Sequence, residues 1–112
     1  MHVCRGNWSR DEDVLLTGDY QALLPAFQAM PVDQFVLGLG CVNPRTDEAE
    51  DPNAIVARAE EALQYYRPQQ IYLNPDCGFG CFANRCVNQE AHAVAKLHSM
   101  VEAARTLRER YG

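Results

Sequence analysis

The stretch DQFVLGLGCV (residues 33–42) decides the fold of this chain. It is an almost continuous apolar run, and such runs are typical of strands buried on both faces, as in parallel sheets covered by helices. The polar stretch NPRTDEAEDP (residues 43–52) follows it directly and is typical of a surface loop. The sequence therefore predicts a buried strand over 33–42 that ends in a loop.

Strand and helix patterns alternate on both sides of this strand, in the order β-α-β-α-β-α. This order predicts an α/β fold with parallel strands and right-handed crossovers, in a single domain that covers residues 1–112. Three βα units are too few to close a barrel, which takes eight, so we expect open sheet edges through which the chain can self-associate. The other expected elements are a strand over 1–5, a helix over about 20–29, a helix from about Asp51 to Tyr66, a strand over 70–74 and a helix over about 88–110.

The last of these helices is amphipathic. One side of it is apolar and is predicted to face inward, whereas the charged side is predicted to face solvent. The expected inward residues are Val94, Leu97, Val101, Ala104 and Leu107, and the expected solvated residues are Lys96, Glu102, Arg105, Arg108 and Glu109.

Composition and charge exclude several classes of function. The net charge of −5 argues against binding to nucleic acid or to an anionic membrane, which needs clustered Lys and Arg. No apolar run approaches the roughly 20 residues of a membrane span, and charged residues interrupt any signal-peptide core near the N-terminus. These features predict a cytoplasmic protein. In that reducing compartment the odd number of five cysteines favours metal binding or catalysis over disulfides.

Three residues from opposite ends of the chain are candidate metal ligands. His2 and Cys4 are two apart on a predicted strand, so their side chains point to the same face. Cys77 follows the third predicted strand, at the end where functional groups gather in parallel α/β folds. Zinc suits such a set of one imidazole and two thiolates, and it leaves a fourth position open.

The remaining cysteines and histidines have less specific interpretations. Cys41 lies inside an apolar run and is expected in the core. Cys81 and Cys86 are expected to be ordinary loop thiols, with auxiliary metal ligation or redox sensitivity as the open alternatives. His92 and His98 are six residues apart on a helix and do not share a face at metal-ligand spacing, so they are expected at the surface or in packing.

Four stretches taken together resemble the cobalamin-independent methionine synthase family, and more closely the short single-barrel relatives of its catalytic C-terminal domain. They are MHVCRGNW, LGLGCVNPRTDEAEDPNAIVAR, IYLNPDCGFGCFANR and KLHSMVEAARTLRERYG. The resemblance covers nearly the whole chain, and it implies a (β/α)8 TIM barrel of which this chain would be the last third.

The resemblance also implies a site and a reaction. The family's zinc ligands match His2 and Cys4 of the H-x-C motif and Cys77 of the P-D-C-G motif. In that family zinc binds the homocysteine sulfur, which attacks the methyl group of a methyltetrahydrofolate. Asp76 is a candidate substrate-binding residue or fourth zinc contact. Arg45 can hold a substrate carboxylate, with a plain surface position as the alternative.

The chain departs from the family in three places. Gly38 stands where the family has a glutamate ligand, as if an internal segment had been removed. The first five or so βα units of the barrel are missing, and Arg45 stands at about the place of a catalytic histidine. The resemblance thus implies a zinc-dependent methyltransferase-like protein that is incomplete as an isolated chain. The alternatives are a non-catalytic zinc-binding or interaction module, which would use Cys77, Cys81 and Cys86 with His2 or Cys4, and an inactive remnant of the family.

Overall fold

A computed structural model of the protein describes residues 11, 13, 21–31, 37–82 and 85–112. The strand expected over residues 1–5 and the first part of the strand expected over 33–42 lie outside these ranges.

The described residues form three α-helices and four strands, joined by short 3-10 turns at Gln21–Leu23 and Pro68–Gln70. In this part of the chain, no helix has the length and apolar character required to span a membrane. The helices are α1 (Leu24–Gln28), α2 (Pro52–Ala62) and α3 (Glu90–Tyr111), and the strands are β1 (Leu37–Val42), β2 (Ile71–Pro75), β3 (Gly80–Phe82) and β4 (Arg85–Cys86).

β1 and β2 pair in parallel, as the sequence predicted for two consecutive strands joined through a helix. Their register places Gly38 opposite Tyr72 and Gly40 opposite Asn74, with an irregularity before Val42. The described fold is therefore of the α/β class. The small antiparallel pair of β3 and β4 was not predicted, because only a loop was expected there.

α2 begins where the sequence predicted it. The side chain of Asp51 accepts a hydrogen bond from the backbone N–H of Asn53 at 2.8 Å, and Pro52 occupies the first turn, where no N–H partner is needed. The helix ends at Ala62, four residues before the predicted end, and the chain continues through turns to the buried Tyr66.

The core lies between the β1–β2 sheet and the two longer helices. Cys41 is buried in it, which confirms the expected core position of this thiol. Partly buried Leu39, Leu73, Phe79 and Leu107 pack against this core. Its buried members are Cys41, Val42, Ile55, Val56, Met100 and Ala103.

The face that α3 buries differs in part from the predicted one. Leu107 packs against the core and Ala104 is partly buried, as expected. Val94, Leu97 and Val101 were expected inward, but they are exposed. Lys96 was expected in solvent, but it is fully buried, on the same face as Met100 and Ala103. The prediction was wrong because apolar content alone located the stripe, whereas the acidic loop after β1 supplies partners that make a buried lysine acceptable.

Candidate functional site

The candidate site is built where β1 and β2 end side by side. The backbone N–H of Asp76 donates to the carbonyl of Val42 at 2.8 Å and fixes the chain directly after β2. The guanidinium of Arg45 then lies 3.5 Å from the Asp76 carboxylate, with side chains that are 1% and 14% exposed. Two residues that are distant in sequence, both predicted for the site, are therefore in contact. The alternative surface position for Arg45 was wrong, because the ion pair draws its charge into the protein.

Hydrogen bonds within the loop after β1 hold Arg45 in this position. We call residues 43–51 the β1–α2 loop. The side chain of Asn43 accepts from the backbone N–H of Arg45 at 3.0 Å, and the backbone N–H of Asn43 donates to Glu50 at 2.7 Å. These two hydrogen bonds satisfy the backbone donors on either side of Pro44, at the start of the loop.

Two glycines of β1 lie close to residues of β2 and to the residue that follows it. A Cβ atom on Gly40 would lie 3.0 Å from the Cα of Asp76, and one on Gly38 would lie 2.9 Å from Oδ1 of Asn74. The same Oδ1 atom is buried, with no hydrogen-bond partner among the described residues. The side chain of Asn74 thus fills the space beside Gly38, the position where the resembled family has its glutamate ligand.

Cys77 follows Asp76 directly, and its thiol is partly buried. His2 and Cys4, its predicted partners in metal binding, lie outside the described residues. Within the described ranges, no group of three or more His, Cys, Asp and Glu side chains could hold a metal ion. The three predicted ligands nevertheless suit zinc chemically, since an imidazole and two thiolates are the donors that this ion prefers.

Cys41 and Cys86 differ in exposure. Burial raises the pKa of the Cys41 thiol to about 11, partly offset by backbone hydrogen bonds, so that it stays protonated at neutral pH. Its Sγ lies 3.5 Å from the carbonyl of Asn74 and contributes to packing. Cys86 is an exposed free thiol at the end of β4. Cys81 lies in β3, next to residues outside the described ranges.

The two histidines of α3 stay apart, as expected. Nδ1 of His92 lies 2.7 Å from the side-chain oxygen of Asn88 and 3.6 Å from the carboxylate of Asp47. His98 is exposed. Their positions at the surface and in packing are confirmed.

Sequence reasoning missed the residues that attach the β1–α2 loop to α3. The Nζ atom of Lys96 donates to Thr46 at 2.9 Å and to Glu50 at 3.2 Å. A signal was present, because Lys96 precedes the core residues Met100 and Ala103 by four and seven positions, which is the spacing of one helix face.

The sequence of this chain is similar to a known protein family and to several curated proteins. The profile of the family described as "Cobalamin-independent synthase, Catalytic domain" matches residues 13–106. That match includes the β1–α2 loop, Asp76 and Cys77. No solved structure gives a significant match to the chain.

Curated relatives agree with the family match. The methionine synthase of Sulfurisphaera tokodaii is 28% identical over 97% of this chain and 33% of its own length. The methionine synthase of Saccharolobus solfataricus is 25% identical over 97% of this chain and 34% of its own length. That of Pyrococcus abyssi is 34% identical over 65% of this chain and 20% of its own length. The chain spans about a third of the length of the first two relatives.

Proposed function

Because the chain belongs to the family of cobalamin-independent synthase catalytic domains, we propose that it takes part in methyl transfer from a methyltetrahydrofolate-type donor to the thiol of homocysteine, which forms methionine. The names of the matched methionine synthases support this reaction. The observation that carries the proposal is the position of Cys77 after β2, beside an Asp76 that pairs with Arg45.

In this proposal Cys77 binds zinc together with His2 and Cys4. Zinc, when bound, lowers the pKa of a substrate thiol, so that the sulfur is a thiolate nucleophile at neutral pH. His2, Cys4 and Cys77 would hold the ion, and Gly38 would add no carboxylate to this set. The sulfur attacks the methyl carbon, and the bond between that carbon and the donor nitrogen breaks. The nitrogen retains the electron pair of the broken bond and takes up a proton.

Asp76 and Arg45 are proposed to bind and orient the amino-acid part of homocysteine. The carboxylate of Asp76 is partly accessible and suits the substrate's ammonium group. The guanidinium of Arg45 is buried against Asp76, so it reaches a substrate carboxylate only when that ion pair opens. While this ion pair is intact, Arg45 orients the carboxylate of Asp76.

The remaining barrel units are proposed to come from outside these 112 residues. The chain covers about a third of its relatives, and we propose that it corresponds to the last third of a (β/α)8 barrel acting in the cytoplasm. Another chain, or further copies of this one, would then complete the folate and amino-acid pocket. Isolated protein is accordingly expected to bind zinc more readily than to turn over substrate.

A second candidate function is a non-catalytic zinc module. Cys77, Cys81 and Cys86 are close in sequence around the β3–β4 pair, and the exposure of Cys86 leaves its thiol accessible. This candidate requires that Cys86 contribute to zinc affinity as much as Cys77 does, whereas the methyl-transfer proposal assigns no role to Cys86.

Zinc content of purified protein tests the proposal, by elemental analysis of the wild type, Cys77→Ser and Cys86→Ser. We expect about one zinc per chain in the wild type and in Cys86→Ser, and loss of zinc in Cys77→Ser. Equal loss in both variants would favour the non-catalytic module. A wild type that binds no zinc would refute the metal site and favour an inactive family member.

A methyl-transfer assay then separates binding from catalysis. Zinc-loaded protein is incubated with homocysteine and methyltetrahydrofolate, and methionine is measured with Cys77→Ser as the control. Methionine that depends on Cys77 supports the reaction. Bound zinc without any methionine, even after addition of the missing barrel units as a second polypeptide, would contradict it.

A further inference from the structure

The buried ammonium of Lys96 joins α3 to the β1–α2 loop. Its side chain is 0% exposed. Its Nζ donates to Oγ1 of Thr46 at 2.9 Å, to Oε2 of Glu50 at 3.2 Å and to the backbone carbonyl of Glu48. An ammonium group has three N–H donors, so these three acceptors match its full capacity. A buried charge is tolerated only with such pairing, and loss of any partner is therefore costly.

Glu50 connects Lys96 to the end of β1 through hydrogen bonds. One of its carboxylate oxygens accepts from Lys96, while the other accepts from the backbone N–H of Asn43 at 2.7 Å. The side chain of Asn43 in turn accepts from the backbone N–H of Arg45. A continuous set of hydrogen bonds thus runs from α3 to the residue whose guanidinium meets Asp76.

We propose that Lys96 is a positioning residue, which holds the β1–α2 loop so that Arg45 fixes Asp76 and the adjoining Cys77. This assignment rests on the proposed function, because a metal ligand such as Cys77 gains affinity from a fixed orientation. Lys96 itself contacts neither Asp76 nor Cys77 in the hydrogen bonds and ion pairs of the described residues. Its effect passes through Glu50 and the loop.

Amide hydrogen exchange of metal-free protein tests the structural part of this proposal. We compare the wild type with Lys96→Met, which keeps the length of the side chain and removes its charge and donors. Arg105→Met is the matched control, because it removes an exposed cation from the same helix. We expect exchange at the amides of Asn43, Arg45 and Asp76 to be about tenfold faster or more in Lys96→Met, since hydrogen bonds to charged groups are lost. Arg105→Met should match the wild type.

A second variant keeps the test decisive if Lys96→Met does not fold. Glu50→Gln keeps an acceptor for the amide of Asn43 but removes the negative charge that pairs with Lys96. It should also accelerate exchange at Arg45 and Asp76. Unchanged exchange at these amides in folded Lys96→Met, or in Glu50→Gln if the first variant is unfolded, would overturn the proposal.

Zinc affinity tests the link to Cys77. We expect the dissociation constant for zinc to rise about tenfold in Lys96→Met and to stay unchanged in Arg105→Met, as is typical when outer partners of metal ligands are removed. Faster loop exchange with unchanged zinc affinity would overturn the positioning of Cys77 while leaving the zinc site intact. A wild type without zinc would refute the proposed function instead, and the exchange at Asp76 would still decide whether Lys96 orders this segment.

Discussion

The thiol of Cys41 makes the stability of the protein decrease with rising pH in the alkaline range. Burial raises its pKa from an ordinary value of 9.0 to about 11 in the folded protein. The unfolded chain therefore releases this proton at lower pH than the folded chain does. The contribution to stability is complete below pH 9 and is lost as the pH rises from 9 to 11, at about 1.4 kcal/mol for each unit of pKa difference.

A comparison of the wild type with Cys41→Ala isolates this effect from other groups that titrate in the same range. The variant should be less stable at neutral pH because it leaves a small cavity in the core. The stability gap between the two proteins should narrow by roughly 2 kcal/mol between pH 9 and 11. Urea unfolding at a series of pH values measures the difference in free energy of unfolding between the two proteins. A difference that stays constant from pH 9 to 11 would contradict the raised pKa.

At the scale of single elements, α3 provides a direct test of which helix face is structural. Met100 is 8% exposed and belongs to the core, whereas Leu97 is 43% exposed on the neighbouring flank. Met100→Ala should therefore lower the free energy of unfolding by about 2 kcal/mol or more, because it leaves a cavity. Leu97→Ala should cost less than about 1 kcal/mol.

Both variants change one apolar residue of the same helix to alanine, so differences in helix propensity stay small and each serves as the control for the other. Urea unfolding of the two proteins gives the comparison. The opposite order of destabilisation would mean that the apolar stripe chosen from the sequence is the buried face after all.

The same helix shows what can and cannot be predicted from the sequence. Elements with a strong local signal were predicted well: Asp51 and Pro52 fix the start of α2, and the parallel pairing of β1 with β2 follows from the order of apolar segments. The orientation of α3 depends on tertiary partners instead. The spacing of Lys96 from Met100 and Ala103 places the lysine on their face of the helix. Its burial also requires acceptors from a distant loop, and the sequence of the helix alone does not show them.

The candidate site likewise combines features that could be predicted from local sequence with features that depend on tertiary contacts. The motif around Cys77 was recognisable because it is local, and the prediction placed it correctly after a strand that ends in this region. The contact between Arg45 and Asp76 joins residues 31 positions apart, so their charges alone left its existence open. The tight fit at Gly40 could not be predicted from the sequence either, since it arises from the approach of the Asp76 backbone across the sheet.

At the scale of the whole molecule, one flank of α3 exposes several large apolar side chains. Val94, Leu97 and Val101 are 46%, 43% and 48% exposed, and their spacing places them on one side of the helix. Apolar patches of this kind mark surfaces that are covered by another element or another chain. A chain that spans about a third of its relatives would leave such a surface if the covering elements belong to the remaining part.

We therefore predict that the isolated chain self-associates through this flank, in addition to any pairing at sheet edges. A double variant, Leu97→Glu with Val101→Glu, should shift the protein towards monomer, because burial of carboxylates in an apolar contact is costly. Ala95→Glu is the matched control, since Ala95 is exposed on α3 away from this flank, and it should associate like the wild type. Sedimentation over a range of concentrations measures the association. Wild-type protein that stays monomeric at every concentration would contradict self-association and leave the flank free for a different chain.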